Sequence, residues 1–184
     1  MFQNANMIKY FRFIVISSLM MAFYPSFGQE KPDIKKGTFY LVRHAEKDTG
    51  RNPRLTEEGT KRAGDLYRRL KKERIRQIYT TNYRRTIMTG DSLRIYQQLD
   101  TFFYAADTTG AGLMKSLKQH FKKKSHVLVI GHSNTVPVLL RKLGVKNMEH
   151  YEMPETQFNM LFVVKIRRKK VVSFIQEQYG EWAP

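Results

Sequence analysis

Short apolar runs separated by polar segments dominate the pattern along the chain. Residues 38–42 and 126–130 are apolar, aromatic or β-branched almost throughout, which is typical of strands buried on both faces of a parallel sheet. Residues 75–80 predict another strand, and a short extended piece is expected near Phe102 and Phe103. These runs are shorter than a membrane span, so they indicate the core of a globular domain.

Helical periodicity occupies the segments between these runs. Thr56 is a good N-cap residue, and the two glutamates after it suit the positive end of a helix dipole. Basic residues, Arg62 among them, are expected on the solvent side of this helix, and three apolar residues share the other face: Ala63, Leu66 and Leu70. Further helices are predicted at residues 84–97, about 112–123 and about 135–143, the last one ended by Gly144.

The last part of the chain predicts an antiparallel pair. Residues 158–166 and 171–176 are its strands, and the basic segment 167–170 is the turn between them. Strands that alternate with helices indicate the α/β class. The predicted fold is therefore a three-layer α/β/α sandwich whose central sheet is mostly parallel with an antiparallel edge.

The amino-terminal segment differs from the rest. Basic residues precede the apolar run 13–23 and small residues follow it, which predicts a signal peptide over residues 1–28 with cleavage before Gln29. Residues 29–37 are then a polar spacer, and residues 38–184 form one domain. The apolar run is short for a membrane span, so a leader retained as an anchor is the less favoured alternative. The sequence has no cysteine for lipid attachment, and the expected location is the periplasm or the exterior of the cell.

Basic residues outnumber acidic ones by 33 to 16, which gives a formal net charge of +17. Such a surface either keeps the protein solvated or creates a field that attracts phosphorylated substrates and anionic lipids. Weak association with an anionic membrane surface is one expectation. The basic residues are spread over several predicted helices and the 167–170 turn, without grouped aromatic stacking residues, so specific binding of nucleic acid is not expected.

Three polar segments each follow a predicted strand and lie at or before the start of a helix. They are residues 43–46, 80–86 and 131–135. Open α/β sheets bind ligands at the carboxyl ends of their strands, so two histidines and at least two arginines are expected at one edge of the sheet. Each segment alone has a simpler explanation, as a packing pair, a capping turn or surface charge. The combination predicts an anion site that contains nucleophiles.

Phosphoryl transfer is the chemistry that suits these residue types. A neutral imidazole nitrogen can attack phosphorus in line and form a phosphoramidate, which water later hydrolyses. Guanidinium groups match the oxygens of a phosphoryl group in bidentate geometry and keep their charge at any working pH. Arginines beside the histidines therefore indicate a phosphate ligand.

In this combination the segments resemble the histidine phosphatase superfamily, also called the phosphoglycerate mutase-like family. Residues 41–46 (LVRHAE) are similar to its opening Arg-His-Gly/Ala-Glu signature, and residues 54–59 (RLTEEG) to the Leu-Thr-x-x-Gly that follows. Residues 79–89 resemble the second-arginine segment of the family, and residues 129–135 (VIGHSNT) its second-histidine segment. The resemblance covers nearly the whole predicted domain and implies a fold of the phosphoglycerate mutase type.

The resemblance also implies roles for the matching residues. His44 is the expected phosphate acceptor, with Arg43, Arg85 and His132 around the phosphoryl group. When Thr89 is aligned with the threonine that ends the second segment, Arg85 becomes the phosphate-binding arginine and the preceding arginine falls outside the pocket.

Further residues complete the expected site. Glu46 is expected to accept hydrogen bonds from a neighbouring backbone or arginine. Asn52 is expected to bind phosphoryl oxygens, as an asparagine downstream of the signature does in some members, although the spacing differs. Ser133, an expected substrate contact, stands where the acid phosphatase and phytase branch carries an aspartate, which indicates the other branch. There the proton donor usually lies between the second arginine and the second histidine, and Asp107 is the candidate; a turn-forming aspartate ahead of a helix is the alternative.

The expected function is hydrolysis of phosphate monoesters, or of phosphohistidine in proteins, with no metal or other cofactor. The expected partner is a phosphorylated small molecule or a phosphoprotein, contacted by the loops 48–54, 104–112 and 148–157. A non-catalytic module that binds phosphate, anionic lipid or polysaccharide is the alternative. A phosphoglycerate mutase-type phosphotransferase is less favoured, because the chain is short and shows no large insertion to cover and reorient a substrate.

Overall fold

A six-stranded sheet forms the centre of the fold. The computed structural model describes residues 34–180, and within them the strands are β1 (Lys36–Arg43), β2 (Ile75–Thr80), β3 (Asp100–Phe103), β4 (His126–Gly131), β5 (Met160–Arg167) and β6 (Lys170–Gln178). The helices in this part of the chain are α1 (Glu57–Leu70), α2 (Arg84–Gln97), α3 (Ala111–His120) and α4 (Val136–Lys142). Strand and helix alternate from β1 to β5, as the sequence predicts.

The strand order in the sheet is β3-β2-β4-β1-β5-β6. The four strands β3, β2, β4 and β1 run parallel, whereas β5 pairs antiparallel with β1, and β6 pairs antiparallel with β5. This order confirms a mostly parallel sheet with an antiparallel edge. The last residues of β1 and β4, Arg43 and Gly131, are paired in register, so the segments that follow these two strands emerge side by side.

Helices cover both faces of the sheet, which confirms the three layers. Phe39 and Leu41 of β1 join the apolar cluster that includes α3 and α4, whereas Tyr40 and Val42 join the cluster that includes α1 and α2. None of the four is more than 4 % exposed, and burial of an apolar side chain of this size contributes about 1.5–3 kcal/mol. The strand reads as apolar throughout because neither of its faces is left to solvent.

Helix α1 begins as the sequence predicts. Oγ1 of Thr56 accepts a hydrogen bond from the backbone N–H of Gly59 at 3.1 Å, and Leu66 and Leu70 are fully buried. Arg62 differs from the expectation of a solvent-exposed basic face, because its side chain is buried against the segment that follows β1.

Some element boundaries also differ from the prediction. Strand β1 starts at Lys36, inside the predicted polar spacer, and Ile34 before it is buried. Helix α3 ends at His120 instead of near residue 123, because Phe121 adopts an extended backbone and stacks its ring on Phe39, with centroids 5.5 Å apart.

The predicted signal peptide, residues 1–28, lies outside the described residues. Within residues 34–180, no helix combines the length and the apolar character that a membrane crossing requires.

Candidate active site

The segments after β1, β2 and β4 meet at the carboxyl edge of the sheet. The backbone N–H of His44 donates to the carbonyl oxygen of Gly131 at 3.0 Å, which extends the pairing of β1 with β4 by one residue. The rings of His44 and His132 consequently approach each other, with centroids 5.4 Å apart and an angle of 67° between their planes. Their exposed fractions are 3 % and 8 %. The structure thus brings together the two histidines that the sequence places at this edge.

The hydrogen bond of His44 shows which ring nitrogen is free. Nδ1 lies 2.8 Å from the carbonyl oxygen of Ala45. Because a carbonyl oxygen only accepts, Nδ1 carries the proton and Nε2 keeps its lone pair. Burial lowers the pKa of His44 to about 3, and the positive charges of Arg43 and Arg85 also lower it. The ring is therefore neutral near physiological pH, with Nε2 available as a nucleophile.

One hydroxyl group connects the His44 segment to α2. The backbone N–H of Ala45 donates to Oγ1 of Thr89 at 2.9 Å, and that hydroxyl donates to the carbonyl oxygen of Arg85 at 2.7 Å. Thr89 lies one helical turn after Arg85, so it fixes the position of His44 relative to the helix that carries this arginine. The alignment on Thr89 thus has a physical basis.

A chain of hydroxyl groups orients the ring of His132. Nη2 of Arg85 lies 3.4 Å from Nδ1, and since a guanidinium only donates, Nδ1 is the acceptor. The proton of the neutral ring is then on Nε2, which lies 3.1 Å from Oγ1 of Thr81. That oxygen is 2.9 Å from Oγ1 of Thr86, which also bonds to two backbone carbonyls. Burial lowers the pKa of His132 to about 4, and the charges of the nearby arginines add to this effect.

Arg85, and not Arg84, faces the histidines. The guanidinium carbon of Arg85 lies 4.4 Å from the centroid of the Tyr83 ring. Arg84 is exposed, and its backbone N–H donates to Oδ1 of Asn52 at 3.0 Å. Asn52 therefore lies at the start of α2, and its amide NH₂ group is the part that can still donate to a ligand.

The guanidinium of Arg43 is held by the loop between α4 and β5. Nη1 donates to the carbonyl oxygens of Pro154 and Glu155 at 3.0 and 2.7 Å, and Nη2 lies 2.5 Å from the Glu155 carboxylate. The ring of Phe158 covers the guanidinium carbon at 4.2 Å. The same carboxylate accepts a hydrogen bond from the hydroxyl of Ser133 at 2.5 Å. Ser133 is therefore at the site, where it contacts Glu155.

No motif in the sequence indicates Glu155. It follows β1 by more than a hundred residues, so its contact with Arg43 depends on how β5 and its preceding loop fold back onto β1. The one signal in the sequence is its position in the loop 148–157, which is among those expected to face substrate.

Three buried guanidinium nitrogens have no hydrogen-bond partner among the described residues, and two of them, Nε of Arg43 and Nε of Arg85, belong to the predicted phosphate-binding arginines; the third is Nη1 of Arg62. A buried donor left unsatisfied costs about 1–3 kcal/mol. A phosphoryl group between the two arginines would supply acceptors for both donors and would offset their positive charge. The arrangement therefore suits an anion.

The contacts of Asp107 argue against its candidacy as the proton donor. Oδ1 accepts from the backbone N–H groups of Thr109 and Ala111, and Oδ2 accepts from that of Gly112 at 2.7 Å. Burial raises the pKa of Asp107, but these hydrogen bonds outweigh it and lower the pKa to about 2. The carboxylate is thus ionised at neutral pH and is bound to backbone N–H groups at the start of α3, which agrees with the alternative interpretation of a turn-forming aspartate.

Glu46 connects the His44 segment to α1. Its carboxylate accepts from Nε of Arg62 at 2.6 and 2.9 Å, and the two side chains are 18 % and 7 % exposed. The Glu46 carbonyl oxygen also accepts from the backbone N–H of Thr56 at 3.0 Å. A Cβ atom at Gly59 would lie 2.0 Å from that oxygen, so the close approach of α1 requires glycine. These contacts agree with Glu46 as an acceptor for a nearby arginine.

An open cavity of about 790 Å³ borders the site, and Ser133, Tyr151, Met153 and Glu155 are among the residues that line it. It offers room for whatever group a phosphoryl ligand carries. In the part of the chain that the structure describes, no group of three or more His, Cys, Asp or Glu side chains is arranged to bind a metal ion.

The model of the histidine phosphatase superfamily (branch 1) matches residues 39–101. No curated protein matches the sequence.

Several solved structures share the fold at low sequence identity. A structure named for the phosphohistidine phosphatase SixA, from Agrobacterium tumefaciens, is 18 % identical with a TM-score of 0.55, and the match covers 75 % of this chain and 96 % of that one. YhfR from Bacillus stearothermophilus is 15 % identical with a TM-score of 0.55, covering 73 % and 94 %. A phosphoserine phosphatase from Entamoeba histolytica is 13 % identical with a TM-score of 0.53, covering 79 % and 98 %. The family model thus matches the part of the chain that carries His44 and Arg85, and this chain shares the fold of these structures.

Proposed function

We propose that this protein is a phosphatase that hydrolyses phosphate monoesters through a covalent phosphohistidine at His44. The state of His44 carries the proposal. Its ring is buried and neutral, Nδ1 is bound to the Ala45 carbonyl, and Nε2 is free beside His132. Such a nitrogen can attack a phosphoryl group without first losing a proton.

The reaction has two displacements. In the first, Nε2 of His44 bonds to phosphorus and the bond to the leaving oxygen breaks, while Arg43 and Arg85 offset the charge on the phosphoryl oxygens. In the second, water attacks phosphorus, the N–P bond breaks and inorganic phosphate leaves. A bound dianion also counteracts the positive charges that lower the pKa of His132, which favours a protonated ring able to donate to a phosphoryl oxygen.

The similar structures support hydrolysis at the level of reaction class. One is named as a phosphohistidine phosphatase and another as a phosphoserine phosphatase. A phosphorylated small molecule and a phosphoprotein are therefore both candidate substrates. The net charge of +17 supports an anionic substrate, because it raises the local concentration of anions at the surface. If residues 1–28 act as a signal peptide, the substrate is an exported or extracellular one.

Hydrolysis of para-nitrophenyl phosphate by the full chain, with and without a chelator, tests the proposal. We expect chelator-resistant turnover that falls by at least about 1000-fold in His44→Ala. His120→Ala is the matched control, because this exposed histidine lies at the end of α3, outside the site. Turnover that persists in His44→Ala would contradict the phosphohistidine mechanism. Binding of inorganic phosphate by a folded wild-type protein without turnover would favour the non-catalytic phosphate-binding module.

A further inference from the structure

Glu155 is the one carboxylate among residues 34–180 that hydrogen-bonds to a predicted phosphate-binding side chain. Its Oε2 lies 2.5 Å from Nη2 of Arg43, and its Oε1 lies 2.5 Å from Oγ of Ser133. The side chain of Glu155 is 79 % exposed, although that of Arg43 is buried. Ion pairs with so exposed a partner are weak, so the carboxylate can leave Arg43 when a stronger anion arrives.

The backbone at Glu155 is anchored separately from its carboxylate. Nη1 of Arg43 binds the carbonyl oxygens of Pro154 and Glu155, whereas Nη2 binds the carboxylate. The side chain can therefore exchange partners while the loop stays in place. Nη2 and the unpartnered Nε of Arg43 are then the donors that a phosphoryl group would take.

We propose that Glu155 is the general acid that protonates the leaving-group oxygen, an assignment that rests on the proposed function. Its carboxylate reaches Arg43 in the phosphoryl pocket and Ser133 on the wall of the adjoining cavity. The bridging oxygen of a monoester joins the phosphoryl group to the leaving group, so it lies where pocket and cavity meet. The other two carboxylates that the sequence analysis considered are already engaged, Glu46 in an ion pair and Asp107 at the start of α3.

Substrate binding favours the form of Glu155 that can donate a proton. In the empty site, the hydrogen bond from Ser133 and the charge of Arg43 lower the pKa of Glu155. A phosphoryl dianion that takes Nη2 of Arg43 removes one of these contacts and places negative charge beside the carboxylate. Both changes raise the pKa.

With this assignment, every proton transferred in the two displacements has a donor and an acceptor. As the N–P bond to His44 forms and the P–O bond breaks, the carboxyl proton of Glu155 passes to the leaving oxygen, and the product leaves as a neutral alcohol. The Glu155 carboxylate next takes a proton from the attacking water. When the N–P bond breaks, inorganic phosphate is released with His44 neutral and Glu155 protonated again.

The test compares leaving groups. Ethyl phosphate has a poor leaving group that needs protonation, whereas the nitrophenolate of para-nitrophenyl phosphate is stable as an anion. Glu155→Gln should lower kcat/KM for ethyl phosphate by about 100-fold or more and that for para-nitrophenyl phosphate by less than about threefold. Glu57→Gln is the control, since this exposed glutamate on α1 pairs with Lys61, away from the site.

The other possible outcomes would contradict either the role of Glu155 or the proposed function. An equal loss on both substrates in Glu155→Gln, or a lower KM and higher kcat/KM on both, would show that the carboxylate positions Arg43 or competes with phosphate, and would overturn the assignment. Wild-type turnover of para-nitrophenyl phosphate but not of ethyl phosphate would overturn it too, with the proposed function intact. Turnover of neither substrate by the folded wild type would overturn the proposed function itself.

Discussion

Replacement of Gly59 by alanine should destabilise the protein and displace the segment that carries His44. A Cβ atom at this position lies 2.0 Å from the carbonyl oxygen of Glu46 and 2.9 Å from its carbonyl carbon. Both are backbone atoms, so no side-chain rotation relieves the clash. Either α1 or the segment after β1 must move by about 1 Å or more to restore an ordinary contact distance.

The size of the effect follows from two opposing contributions. Alanine gains roughly 0.5–1 kcal/mol over glycine within a helix, and overpacking a rigid site costs about 1–3 kcal/mol, occasionally more. The upper end applies here, because the same Glu46 carbonyl also accepts the N–H of Thr56 at 3.0 Å. The net loss in unfolding free energy should be about 2 kcal/mol, which lowers Tm by roughly 4–8 °C in a domain of this size.

Gly64 on the same helix provides a matched control. The nearest atoms to a Cβ there belong to the flexible guanidinium of Arg68, at 3.3 Å, so Gly64→Ala should raise the unfolding free energy by up to about 1 kcal/mol. Urea denaturation of both variants, with aryl phosphatase assays beside it, measures the contrast. Equal effects of the two substitutions, or stabilisation and full activity in Gly59→Ala, would refute the reasoning.

Further predictions concern the charged and titratable groups of the site. Arg85→Ala should lower kcat/KM for an aryl phosphate by about 100-fold or more, and Arg84→Ala by less than about threefold, because only the former removes a donor that faces the histidines; similar losses would contradict the alignment. Asp107→Ala should cost about 1 kcal/mol of unfolding free energy through loss of the α3 cap and leave kcat/KM unchanged, whereas a large loss of activity at full stability would restore Asp107 as the acid. The pKa values of His44 and His132 are about 3 and about 4 in the folded protein, below the value of about 6.5 for an unperturbed histidine. Protons therefore bind preferentially to the unfolded chain, and stability should be complete above about pH 6.5 and decline as the pH falls toward 4. Urea unfolding midpoints measured across this pH range should fall as the pH falls. A smaller fall in His132→Asn would show that His132 contributes to the pH dependence.

Much of the architecture can be predicted from the sequence, because buried strands and amphipathic helices show different patterns of apolar residues. Strands β1 and β4 are buried on both faces, so they read as continuous apolar runs, while α1 shows helical spacing with a capping threonine. The alternation of strands and helices then predicts a parallel sheet. Because both histidines follow parallel strands, the carboxyl edge of that sheet brings His44 and His132 together.

Contacts between distant segments could not be predicted in the same way. Arg62 belongs to the polar residues of α1 by periodicity, and it is buried because the segment after β1 packs on that helix and supplies Glu46. Glu155 reaches Arg43 through the folding of a loop that has no pattern of its own. At Asp107 the sequence left two chemical roles open, and the backbone N–H groups of α3 favour the capping one.

The central claim is that His44 carries the phosphoryl group during turnover, and trapping the intermediate tests it most directly. The full chain is mixed with para-nitrophenyl phosphate, quenched in alkali, where phosphohistidine survives, and digested for mass spectrometry. We expect a transient mass increase of one phosphoryl group on the peptide that contains His44, and no such increase in His44→Ala. Steady turnover with no such species, or a phosphoryl group on His132 instead, would contradict it.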